Sequence, residues 1–114
     1  MSANKRRGTR AESAVVDYLN SFGYTTAERR ALAGALDKGD IAGMDNLVIE
    51  VKDWARMDLA GWVDEAEKEK YNAKADFGVA WHKRRGRGTP GDWYVTMTGR
   101  QFMGFLALLY GGGR

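Results

Sequence analysis

Residues 39–53, GDIAGMDNLVIEVKD, decide how the chain is read, because they set two carboxylates and a lysine on one short β-hairpin. Over residues 47–52, Leu47, Ile49 and Val51 fall on one face of a strand, and Val48, Glu50 and Lys52 fall on the other. Met44, Asp45 and Asn46 read as a three-residue turn with Asn46 left-handed, which pairs Gly43 with Leu47 and sets Asp40 opposite Glu50. A two-residue turn would move Asp40 to the wrong face, so the reading depends on this register. Two carboxylates that close repel each other unless a proton or a divalent cation lies between them. The spacing therefore predicts a metal site, with the Asp40 and Glu50 carboxylates roughly 4 to 5 Å apart and the Lys52 amine alongside.

Working outward, the chain of 114 residues is long enough for one domain that buries a core without staples. It has no cysteine and one histidine, which excludes a disulfide framework, a thiolate site and structural zinc. A reducing, intracellular setting suits it. The basic first residues precede an amphipathic segment and not an apolar run, so no signal peptide is expected, and QFMGFLALLY at 101–110 is too short to span a bilayer. The net charge of +3 is unevenly spread. Lys5, Arg6 and Arg7, then Arg29 and Arg30, then Lys83, Arg84, Arg85 and Arg87 form three basic clusters around an acidic centre, a layout that fits phosphate binding. Any one such run is more often plain solvated surface.

Residues 1–8 read as a flexible basic arm, 9–110 as the folded domain and 111–114 as a flexible tail. Thr9 is expected to cap a helix that ends near Phe22, with Ala11, Val15, Tyr18, Leu19 and Phe22 as its buried stripe and Gly23 as the stop. Glu12 admits two readings: partner in a Thr-x-x-Glu capping box, or a third acidic ligand facing the hairpin. Spacing alone favours the cap. Residues 24–29 read as a strand, followed by a loop over 30–38. Asp58 is expected to cap a helix over 59–74 with an apolar edge of Leu59, Trp62, Val63, Ala66 and Ala73. Glu67 and Glu69 fall among its wet charges, while Glu65, beside the apolar edge, could look back toward the hairpin. Strands are expected at 77–82 and 92–98, joined by a flexible basic loop, KRRGRGTPG, suited to phosphate contact. His82 at its root reads as a satisfied strand-end histidine. The helix over 99–110 is apolar enough to close the core, to make a subunit contact, or both.

Asp40, followed ten residues later by Glu50-Val51-Lys52 in an apolar strand, resembles the PD-(D/E)XK nuclease superfamily. Within it, the order of elements and the short chain are similar to the archaeal-type Holliday junction resolvases and their small phage-encoded relatives. KRRGTRAE at 5–12 resembles that group's basic arm and acidic helix. The resemblance covers residues 5–98 and is strongest over 39–53. It implies an α/β, restriction-endonuclease-like fold, with a mixed central β-sheet flanked by helices in a single domain. It also implies that Asp40, Glu50 and Glu12 bind Mg2+, with Mn2+ able to substitute, and that Lys52 supports the attacking water, which makes Glu12, Asp40, Glu50 and Lys52 the catalytic set.

The further implications are a homodimer nicking a four-way DNA junction by hydrolysis, with the apolar last helix, Trp54 and Trp62 as candidates for the dimer contact. Lys5, Arg6, Arg7, Arg29, Arg30, Lys83, Arg84, Arg85 and Arg87 would grip the DNA backbone without reading bases. The sequence departs from the pattern in having Gly39 where a proline often precedes the aspartate, and no glutamine in the helix after the strand, where Glu65 is the accessory candidate. Two alternatives stay open: a nuclease for flaps, forks or linear duplex, and a non-catalytic DNA-binding protein whose acidic residues form a structural ion cluster.

Overall fold

The strand at the centre of the sequence argument forms with the bounds and facing that its alternation predicts. The computed structural model describes residues 3–31 and 36–111. It contains α1 (Ala3–Ser21), β1 (Glu28–Arg29), β2 (Ile41–Ala42), β3 (Leu47–Lys52), α2 (Leu59–Ala73), β4 (Phe77–His82), a 3-10 turn (Pro90–Asp92), β5 (Tyr94–Thr96) and α3 (Gly99–Tyr110). Ile49 and Val51 of β3 pack with Ala11 and Val15 of α1, Ile41, Val79 and Trp93 in one core. On the opposite face, α2 contributes Trp62 and Val63 against Ala80. Burying side chains such as Val15, Ile41 and Ile49 stabilises the fold by about 1.5–3 kcal/mol each.

β3 and β4 run parallel, with Leu47 opposite Phe77 and Lys52 opposite His82, and α2 is the crossover between them. β5 pairs antiparallel with β4, giving a mixed three-stranded sheet in the order β3-β4-β5. α2 begins where the sequence predicts: Asp58 accepts a hydrogen bond from the Gly61 amide at 3.3 Å, and Lys74 closes the helix in the left-handed conformation. The protein is thus a single-domain α/β fold with, among the described residues, three α-helices, an antiparallel β1–β2 pair and a mixed three-stranded sheet. Among the described residues no helix is long and apolar enough to cross a membrane.

Several expectations are corrected. α1 starts at Ala3, so residues 3–8 form its first turns instead of an arm, and Thr9 lies inside the helix. The capping box between Thr9 and Glu12 therefore does not form. The basic residues at 5–7 are good helix formers, and they carry the helix N-terminal of the polar residue that looked like a cap. Phe22 is 65% exposed and lies beyond the helix, its ring edge-on to Tyr18. The first strand shrinks to Glu28–Arg29 and pairs with β2. Asn46 is left-handed, as predicted, with φ 61°. No ladder joins β2 to β3, however. The backbone bond across is instead from the Asp40 amide, before β2, to the Ile49 carbonyl at 3.0 Å.

Gly43, with φ 86°, cannot be replaced, since a Cβ there would lie 1.9 Å from the Thr26 carbonyl oxygen; that contact draws the chain toward β1. The last strand begins at Tyr94, because Pro90 favours the 3-10 turn before it. Trp62 is buried, not an exposed dimer candidate. α3 does little to close the core: Gln101 is its buried residue, while Phe102, Met103, Leu108, Leu109 and Tyr110 are exposed. Residues 1–2, 32–35 and 112–114, which take in parts of the expected arm, loop and tail, lie outside the described residues.

Candidate metal centre

Period-two alternation in β3 sends Glu50 and Lys52 toward α2, and α2 answers with carboxylates. Glu65 and Glu69 are four residues apart and therefore share a helix face. Glu50 and Glu69 are each only 2% exposed. The loop before β2 supplies two more acids. Asp37 accepts from the Gly39 amide at 3.0 Å, and its carbonyl accepts from Asn72 of α2 at 2.8 Å, which ties the loop to the helix. Asp40 is fixed from two directions: its amide donates to Ile49, and its Oδ2 accepts from the Val51 amide at 2.8 Å. These two bonds attach Asp40 to the residues on either side of Glu50, without the regular hairpin on which the expected register depends.

Carboxylate oxygens of Asp37, Glu50, Glu65 and Glu69 all lie within 4.8 Å of one another. The Lys52 amine donates to Glu65 at 2.6 Å and lies 3.3 Å from Glu50 Oε2. Among the described residues no N–H or hydroxyl donor reaches Glu50 Oε1 or either oxygen of Glu69. What faces Glu69 is the carboxylates of Glu50 and Asp37, so a hydrogen bond there requires a proton on one of the three. Buried acceptors that face only other acceptors are costly until a proton or a cation joins them.

The titration of these groups follows from this crowding. Burial, then shared hydrogen bonds with Glu50 and Asp37, push Glu69 up to about 11. Burial, then the Glu50 charge, push Asp40 up to about 8, against the opposing Val51 hydrogen bond. Burial also raises Glu50. The hydrogen bond from Glu69 holds Asp37 below its ordinary value. For Lys52, burial works against the charge, but the bond to Glu65 and the charges of Glu50 and Glu65 outweigh it and hold the ammonium above its ordinary value. Together the groups form an oxygen-only donor set with one ammonium fixed beside it, and the four carboxylates could hold a metal ion. The unpartnered oxygens of Glu50 and Glu69 fit such an ion.

A cleft of about 680 Å³ is lined by Glu12, Asp37, Asp40, Glu50, Lys52 and Glu65, and Lys5, Arg29 and Arg30 border it. All four residues expected to be catalytic thus line one cleft, although Glu12 and Asp40 stand outside the tight group of four. Glu12 is neither a cap nor a member of that group; it accepts from Arg29 Nε at 3.0 Å. Arg7, Lys83, Arg84 and Arg85 line a second cleft next to the first. Arg6 and Arg87 are exposed and line neither. His82 is buried and paired with the Thr96 hydroxyl at 2.8 Å, as expected of a structural histidine, and burial lowers its pKa.

Two members of the group escape the sequence reading. Glu69 reads as a wet charge, yet it continues the line of Trp62 and Ala66 at spacings of four and three. A glutamate in register with a buried stripe is the signal that could have found it. Asp37 lies two residues before Gly39, the spacing of an Asx-turn. Compared with family models, curated proteins and solved structures, the chain matches none.

Proposed function

We propose that the protein is a divalent-metal-dependent endonuclease of the restriction-endonuclease-like class that acts on branched DNA, as a Holliday junction resolvase does. One observation carries the reading: a buried, incompletely partnered Glu50 lies beside Lys52 at a cleft with arginines and a lysine on its border. A mixed sheet with α1 on one face and α2 on the other supports the fold class. Glu50 belongs to both ligand sets, the Asp40–Glu50–Glu12 set expected from sequence and the Asp37–Glu50–Glu65–Glu69 group. It is the residue on which the reading rests.

Glu50, Asp37, Glu65 and Glu69 would hold the ion, with Asp40 approaching from the cleft side. Mg2+ fits best where the partner is a phosphodiester, and when bound it supplies Lewis-acid activation and neutralises developing charge. Lys52 can donate to a phosphoryl oxygen or to the attacking water, and its bonds to Glu50 and Glu65 fix its position. Arg29 and Arg30 on the cleft border suit the flanking phosphates, and such contacts read shape in preference to sequence. The exposed apolar face of α3 supports a homodimer, which suits paired nicks on a two-fold branched substrate.

One alternative draws on Lys52 itself. Already 2.6 Å from Glu65, Lys52 offsets part of the acidic charge, and a non-catalytic DNA-binding protein with a structural ion cluster would use it so. Cleavage of a four-way junction, a flap and a linear duplex at equal salt, with and without Mg2+, separates these readings. Symmetric nicking of the junction is expected. Preferential cutting of the flap or duplex would move the substrate, and binding without any Mg2+-dependent cutting would overturn the enzyme.

A further inference from the structure

Two clefts meet at one tryptophan. The second cleft, of about 710 Å³, is lined by Arg7, Arg10, Lys83, Arg84 and Arg85, and it shares Asp53 and Trp54 with the acidic cleft. β3 makes this ridge, because the strand ends at Lys52 and the next two residues leave the sheet. The ridge is held from both sides. Asp53 pairs with Arg7 of α1 at 3.4 Å and with Lys83 of the basic loop at 3.9 Å. Arg10 and Arg85 have no acidic partner among the described residues, so the second cleft keeps an excess of positive charge.

Of the four tryptophans, Trp54 alone is exposed. Trp93 is buried and donates its indole N–H to the Arg87 carbonyl at 2.8 Å, Trp81 donates to the Pro90 carbonyl at 3.1 Å, and Trp62 packs against His82. Trp54 is 54% exposed and has neither a hydrogen bond nor a ring contact among the described residues. An open indole face beside a cationic groove is the pairing that takes single-stranded nucleic acid, with the base on the ring and the phosphates on the cations. A base inside a duplex has both faces stacked already and cannot use the indole without leaving the stack.

We infer that Trp54 is a stacking platform for an unpaired nucleotide, on a strand that runs from the basic cleft across the Asp53–Trp54 ridge to the acidic one. Its connection to cleavage rests on the nuclease reading; the binding does not. Within the branched-DNA reading, this favours substrates that open or expose a nucleotide at the branch point or an end, and the ridge would set how far from it the strand enters the acidic cleft.

The test uses the full chain in EDTA and reads affinity by fluorescence anisotropy. The probes are a blunt duplex and the same duplex with a short unpaired extension carrying the fluorescent base 2-aminopurine. The wild type is expected to bind the extended duplex on the order of tenfold more tightly and to quench its 2-aminopurine. Trp54→Ala should lose that margin while keeping its affinity for the blunt duplex, and Trp54→Phe should retain most of it. Because Trp54 is exposed, the variants should melt like the wild type, which circular dichroism checks. No margin in the wild type, or an undiminished margin in Trp54→Ala, overturns the inference. Cleavage in Mg2+ is scored separately: a stacking margin with no cutting of any DNA keeps this inference and removes the nuclease, and cutting without a margin does the reverse.

Discussion

Replacing Glu69 with glutamine should make the metal-free protein more stable, and increasingly so as the pH rises. Glu69 is held near 11 against an ordinary 4.5, so the folded protein keeps a proton that the unfolded chain releases. Stability from such a raised group is complete below about pH 4.5 and is lost as the pH climbs toward the folded value, at about 1.4 kcal/mol per pH unit. Between pH 5 and pH 8 this amounts to about 4 kcal/mol at most, a large share of the 5–15 kcal/mol that domains commonly have. The proton belongs to the Glu50–Glu69–Asp37 group as a whole. A glutamine amide in that position fills the same space and donates to Glu50 or Asp37 without taking up a proton, so Glu69→Gln escapes the loss. Urea unfolding of both proteins in EDTA at pH 5, 6.5 and 8 measures the difference. A gap in favour of the variant that widens with pH is expected, and saturating Mg2+ should narrow it by displacing the proton from the wild type alone. A gap independent of pH, or a variant destabilised at every pH, would refute the reasoning.

Asp40, raised to about 8, adds to the same slope between its ordinary 3.8 and 8, so Asp40→Asn should flatten the pH dependence of metal-free stability over that window. Its amide oxygen can still accept from Val51, so thermal melts at pH 5 should change little. Gln101 is buried and brackets Gly78, accepting from its amide at 2.6 Å and donating to its carbonyl at 2.8 Å. Gln101→Ala should therefore cost about 2–3 kcal/mol in urea unfolding, by leaving two backbone groups unpaired and detaching α3. If α3 carries the proposed homodimer contact, Leu108→Glu, at a position 72% exposed, should shift sedimentation from dimer to monomer, and a wild type that itself sediments as a monomer would refute that contact.

The period-two pattern at 47–52 is legible because one strand has two faces with different burdens: Ile49 and Val51 meet α1 while Glu50 and Lys52 meet α2. The bounds of β4 and α3 and the Asp58 cap follow from similarly local chemistry. The start of α1 does not. Thr9 is a good cap residue in the wrong place, and the Lys-Arg-Arg run before it continues the helix at no cost in propensity. The partner of β2 is hidden because strand pairing is a long-range choice. Gly43 packs against the Thr26 carbonyl, and no local pattern announces that contact. Glu69 escapes because charge outweighs phase: its position in the Trp62–Ala66 line is visible, but a glutamate on a charged helix reads as solvent-facing.

The most direct test of the account is single-turnover cleavage of an end-labelled four-way DNA junction in Mg2+, run in parallel with wild type and Glu50→Gln. Removing that one carboxylate takes a ligand from both candidate sets while leaving the cationic borders untouched. The account predicts paired nicks with the wild type, none in EDTA, and only background with Glu50→Gln although the variant still binds the junction. Cutting by Glu50→Gln at the wild-type rate, or no Mg2+-dependent cutting by the wild type, would contradict it.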